Sequence, residues 1–144
     1  VSFPGHAQVE KFLHTVVMPA MSDVEKEFEA GGLKTSLDIH NLASIGEGID
    51  AGMDQDSGQV DGLKLRVGHG DEDDFIYEVH LIKAERPNFT LNTSSKHAEY
   101  YYRAEVFLRE GSQEYDLVGY TKEQVLVDIL NQYERHLQYL HLER

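Results

Sequence analysis

Apolar side chains return every three or four residues near the two ends of this chain and every second residue in between. At the N-terminal end Val9, Phe12, Leu13, Val16, Val17, Ala20, Met21, Val24 and Phe28 keep helical spacing, with Glu10, Lys11, Asp23, Glu25, Lys26 and Glu27 on the polar side, which predicts a helix over 6–30. Pro19 lies inside it and removes one backbone donor while crowding the preceding turn, so a bend or a division into two shorter helices is expected there. Gly31 and Gly32 supply the stop. At the other end Thr121 stands as an N-cap, Gln124 occupies the place of its reciprocal capping partner, and Tyr120 with Val125 can close a hydrophobic staple. Leu126, Ile129, Leu130, Tyr133, Leu137 and Leu140 then form an apolar stripe, with Asp128, Gln132, Glu134, Arg135 and Gln138 assigned to the solvated side of a helix running to the chain end.

Between the helices the period falls to two. Leu33, Thr35, Leu37 and Ile39 alternate with polar residues, as do Leu63, Leu65 and Val67, and then Phe75, Tyr77, Val79 and Leu81 against Ile76, Glu78, His80 and Ile82. The last two runs are expected to form a hairpin around an acidic turn, residues 70–73. Phe89 and Leu91 suggest a short extra strand after Arg86-Pro87. From Glu99 to Arg109, Tyr100, Tyr102, Ala104, Val106 and Leu108 make one face and Tyr101, Arg103, Glu105, Phe107 and Arg109 the other; residues 110–112 supply a turn, and residues 115–118 return. Residues 43–59, rich in glycine and carboxylates, read as a mobile connection. The expected architecture is α+β: an antiparallel meander of four to six strands with a long N-terminal and a long C-terminal helix packed on one face.

At 144 residues the chain fits one soluble domain, 1–144, burying roughly two-thirds of its unfolded surface. It has no cysteine, which removes disulfides, thiolate metal sites and cysteine nucleophiles and fits a cytosolic setting. No apolar run approaches the roughly 20 residues that span a bilayer, and Val1 at the start suggests a piece of a longer protein. Charge narrows the partners: 26 acidic against 13 basic residues, a formal −13, argue against nucleic acid and anionic lipid and favour basic protein surfaces.

Candidate chemistry is sparse. Asp54-Gln55-Asp56-Ser57-Gly58 opens like a calcium loop, but its glycine comes one position early and no closing glutamate follows. Asp71, Glu72, Asp73 and Asp74 put four carboxylates at a hairpin tip, a candidate contact surface for a cation or basic partner, with a solvated tip as the stronger explanation. Tyr100 and Tyr102 share a strand face and are the candidate walls of a quaternary-ammonium cage, with core packing as the competing explanation. The eight histidines show no metal-binding spacing, His136 and His141 falling on different helix faces, so they read as surface polar groups with scope for a pH response. Catalysis, metal and cofactor binding all lack a motif.

The blocks DFIYEVH, YYRAEVFLREGSQEYDLVGYTKEQVLVDIL and YERHLQYLHL resemble the C-terminal cytoplasmic domain of BetT-type transporters, members of the betaine/carnitine/choline transporter family, and FPGHAQVEKFLHTVVMPAMSDVEKEF is similar to the start of that domain. The resemblance implies a non-enzymatic domain on the cytoplasmic face of the bacterial inner membrane, regulating ion- or proton-coupled choline uptake under osmotic stress. Its expected partner is the membrane-embedded part of its own transporter, through basic cytoplasmic loops, and choline is the substrate of the whole protein. The family's substrate-binding aromatics lie in membrane helices absent from this sequence, so no transport residue carries over. A freestanding acidic interaction module or a small-ligand sensor is the alternative, and a strand edge offers a route to a homo-oligomer.

Overall fold

The computed structural model describes residues 5–40, 61–70, 72–85 and 100–142; the connection 43–59, the strand expected at Phe89 and Leu91, and Asp71 fall outside these. Helix α1 (His6–Phe12), one π-helical turn (Leu13–Val17) and helix α2 (Met18–Ala30) follow one another without a break. Pro19 is the reason for the wide turn. It has no N–H to give to the turn before it, and its ring crowds the carbonyl four residues back, so the chain expands one turn earlier. There the Met18 amide reaches the Leu13 carbonyl, five residues away, and the Thr15 hydroxyl donates to the Lys11 carbonyl at 2.8 Å. Val9, Leu13, Val17, Ala20, Met21 and Val24 stay on one buried line through the junction. Gly32, at φ +94°, closes α2: its amide bonds to Glu29 and that of Leu33 to Phe28, the paired bonds of a Schellman stop.

Five antiparallel strands form one sheet whose spatial order is the chain order: β1 (Thr35–His40), β2 (Gly62–His69), β3 (Glu72–Glu85), β4 (Tyr100–Leu108) and β5 (Gly111–Asp116). Leu63, Leu65 and Val67, Phe75, Tyr77 and Val79, and Ala104 and Val106 bury one face, as the alternation requires. On that face α1 packs on β3 and β4, α2 on β1 and β2, and the C-terminal helix α3 (Lys122–Leu142) on β3, α2 and the π turn.

Both described hairpins are tighter than the sequence suggests. His69 pairs with Glu72, Gly70 stands at φ +68°, and the acidic residues 72–74 begin β3 instead of forming a loop. Leu108 pairs with Gly111, which leaves Arg109-Glu110 as the β4–β5 turn and moves β5 to Gly111–Asp116, ahead of the expected 115–118. Gly111 at φ +118° permits that early return. At the end of β5 the Asp116 carboxylate takes over the ladder, accepting from the Ala104 and Val118 amides at 2.9 and 3.0 Å.

Thr121 and Gln124 form the expected reciprocal cap, amide to side chain in both directions, at 3.1 and 2.8 Å. The face that α3 buries is rotated from the expected one. Leu130 is 45% exposed, whereas Gln132 is 8% exposed and Asp128 points at the sheet. Two phenols cause this rotation. The Tyr77 hydroxyl, inside the core, donates to Asp128 Oδ2 at 2.5 Å, and the Tyr115 hydroxyl donates to the same oxygen at 2.6 Å. A buried hydroxyl without a partner is costly, so the helix turns its acid inward and gives up Leu130 to solvent. Ile39, on the edge strand, is also left 55% exposed, against the alternation that places it with Leu37.

Replacing Asp128 by Ala strands both hydroxyls and is expected to lower stability by about 2–3 kcal/mol in urea unfolding. Adding Tyr77→Phe and Tyr115→Phe should recover part of that loss; a loss below about 0.5 kcal/mol for Asp128→Ala alone contradicts the assignment. Burial first, and then the neighbouring Asp128, hold the Tyr77 phenol above its ordinary value of 10.0, and the same two causes raise Tyr115. A raised pKa means stability present below pH 10.0 and lost as pH climbs towards the folded value. In an alkaline absorbance titration, the Tyr77 and Tyr115 phenols should ionise only as the chain unfolds. Ionisation of both while the chain stays folded is the opposing result.

Candidate functional site

Because α3 is long, its C-terminal half runs past the β2–β3 and β4–β5 turns and leaves a cleft of about 380 Å³. The sheet side is Phe75, Ile76 and Leu108, the turn adds Arg109 and Glu110, and the helix adds Gln132, Arg135, His136 and Tyr139. The four helical residues fall at steps of three, one and three, which places them on one side of α3. Gln132 forms a fixed floor: its amide nitrogen donates to the Tyr115 hydroxyl, and its amide oxygen accepts from Arg135 Nη1, both at 3.3 Å. A polar chain therefore runs from buried Tyr77 through Asp128, Tyr115 and Gln132 to the Arg135 guanidinium at the cleft.

One residue clasps the rim. The Asp73 carboxylate meets Arg109 Nη1 at 2.7 Å, and the Asp73 carbonyl accepts from His136 Nε2–H at 2.8 Å. The hydrogen bond from Arg109, then its charge, hold the Asp73 carboxyl below the usual range, with a further hydrogen bond from Tyr139. Both partners of the ion pair are about half exposed, so dissolved salt weakens it. Behind the rim the Phe75 ring meets Tyr133 edge-on at 5.2 Å and lies 5.7 Å from the imidazole of His136.

The candidate acidic surface is divided. Asp71 lies outside the described residues, and Glu72 opens β3 opposite His69, with its side chain outside the description. Asp73 joins the clasp, while Asp74, its neighbour on a strand, is 3.9 Å from Arg66. Tyr100 pairs with Glu85 in the ladder, its side chain also outside the description. Tyr102 is partly buried against the core, its ring edge-on to His6 at 5.3 Å. The calcium-like segment 54–58 falls outside the description, and among the described residues no group of three or more His, Asp or Glu is arranged to hold a metal ion. The cleft residues went unread because Gln132 and Arg135 look like solvated helix positions until the tyrosines fix the rotation of α3.

The uncovered face of the sheet carries a second polar group. His80 Nε2 and Glu78 Oε1 are 2.9 Å apart, and the His80 ring stacks at 6.3 Å on His40 and meets Phe107 edge-on at 4.9 Å. Gly62 lies between the two histidines in the ladder, and a Cβ there would stand 2.9 Å from His80 Nδ1, so only glycine leaves room for the ring. Beside them Glu105 accepts from Arg103 and Ser112. Burial raises its carboxyl, but those hydrogen bonds outweigh it and the net shift is downward.

No family model matches the chain. Individual proteins do. It is 37% identical over 144 residues to a "High-affinity choline transport protein" of Escherichia coli (strain K12), covering 100% of this chain and 19% of that protein. It is 32% identical over 141 residues to the "Osmo-dependent choline transporter BetT2" of Acinetobacter baylyi, covering 98% of this chain and 19% of the relative. A "Glycine betaine transporter" of the same organism is 35% identical over 138 residues, 95% of this chain and 18% of the relative. The chain thus spans about a fifth of the length of these relatives. Along its whole length it is a homologue of one segment of BetT-type choline and glycine betaine transporters.

Proposed function

We propose that the chain is the C-terminal cytoplasmic regulatory domain of a choline or glycine betaine secondary transporter, adjusting osmolyte uptake to osmotic stress at the cytoplasmic face of a bacterial inner membrane. The observation that carries this reading is 37% identity along the whole chain to a segment making up 19% of a protein named for choline transport. No described helix is long and apolar enough to cross a membrane, so the solute path is assigned to the rest of such a protein, and this domain acts by contact without performing a reaction.

Charge supplies a mechanism. A tethered body of formal charge −13 is drawn to the Lys- and Arg-rich loops usual on the cytoplasmic side of membrane proteins. The reach of that attraction shrinks from about 10 Å at 0.1 M salt to about 3 Å at 1 M. Rising internal ionic strength then releases the domain from its membrane partner.

In cells carrying the full transporter, removing this domain should flatten the dependence of choline uptake on external osmolarity while leaving uptake itself in place. An unchanged osmotic profile after removal defeats the regulatory reading. In a pull-down of the domain on the membrane part, retention should fall steeply between low and high salt; salt-indifferent retention defeats the electrostatic mechanism alone.

A further inference from the structure

The cleft beside α3 runs against the charge of the chain. Acid outnumbers base 26 to 13 in the sequence, yet Arg109, Arg135 and His136 line the cleft against one lining carboxylate, Glu110. Arg109 is neutralised by Asp73 at 2.7 Å. Arg135 has no such partner: its guanidinium donates to the neutral amide oxygen of Gln132, and among the described residues no carboxylate lies within ion-pair distance of it. Arg135 itself is exposed, and its one hydrogen bond ties it to Gln132, which is buried and bonded to Tyr115.

A guanidinium presents a planar fork of N–H donors that matches the two oxygens of a carboxylate. Around it the cleft offers about 380 Å³, in the range of small-molecule sites, with Phe75 and Leu108 as its apolar wall. We propose that this cleft binds a small organic carboxylate, its anionic end on Arg135 and its hydrocarbon body against that wall. The wall favours a carboxylate with an apolar body over an inorganic anion, and the uncompensated guanidinium disfavours a cation. The proposal goes beyond the transporter reading and does not depend on it.

The test is an NMR titration of the 144-residue chain with benzoate, hexanoate and acetate at fixed ionic strength, with choline chloride as the cationic comparison. Benzoate and hexanoate should give saturable shifts confined to the amides around Phe75, Leu108 and Gln132 to Tyr139, with acetate weaker. Arg135→Gln should raise their Kd roughly tenfold, the loss expected for a charged hydrogen-bonding partner. Arg66→Gln, which removes an exposed arginine of the opposite sheet face, should leave Kd unchanged while an unaltered unfolding midpoint shows both variants folded. The proposal is overturned if no carboxylate saturates, if chloride produces the same shifts, if choline binds more tightly than benzoate, or if Arg135→Gln binds as the parent does.

Discussion

One carboxylate oxygen decides how this domain closes. Asp128 Oδ2 receives the hydroxyls of Tyr77 from β3 and Tyr115 from β5, strands separated in the sheet by β4. A sheet buried on one face needs a cover, and apolar contact alone would hold a helix there in several rotations of similar energy. Two phenols aimed at one oxygen select a single rotation, since any other leaves a core hydroxyl without an acceptor. From that choice follow the inward turn of Gln132, the outward position of Leu130 and the placing of Arg135, His136 and Tyr139 beside the sheet.

The remaining contacts secure what this junction orients. Val125 and Ile129 are fully buried on α3, facing the same core as Leu13, Val17 and Met21 of the N-terminal helical stretch. Lys122 at the start of α3 meets Asp23 of α2 at 2.7 Å, an exposed pair that adds register more than energy. At the far end Asp73 ties the start of β3 to the β4–β5 turn and to α3. The cleft is what remains between these fixed points, with walls drawn from three separate elements.

Much of this could be read from the residues. The two-residue period of β2, β3 and β4 set the buried face correctly, and the Thr121 and Gln124 pair marked the start of α3 to the residue. Pro19 announced an irregularity, resolved as a π turn placed just before it. What escaped the sequence depends on pairing between distant segments. A glycine in a left-handed conformation can shorten a turn and extend a strand into acidic residues, but which glycine does so is settled only when the strands align, as at Gly70 and Gly111. Asp128 and Gln132 sit where a helical pattern reads solvent, because periodicity registers apolarity and is blind to a hydroxyl waiting across the core. The cleft was hidden for the same reason.

The central claim is that α3 and the sheet form one cooperative unit through the Asp128 junction. Native-state hydrogen exchange tests it most directly, by comparing amides around Ile129 in α3 with those around Tyr77 in β3. The account predicts equal opening free energies in the parent chain, and in Asp128→Asn a selective fall for α3 while β3 keeps the higher value. Amides of α3 that open well before β3 in the parent chain, or protection untouched by the substitution, would contradict it.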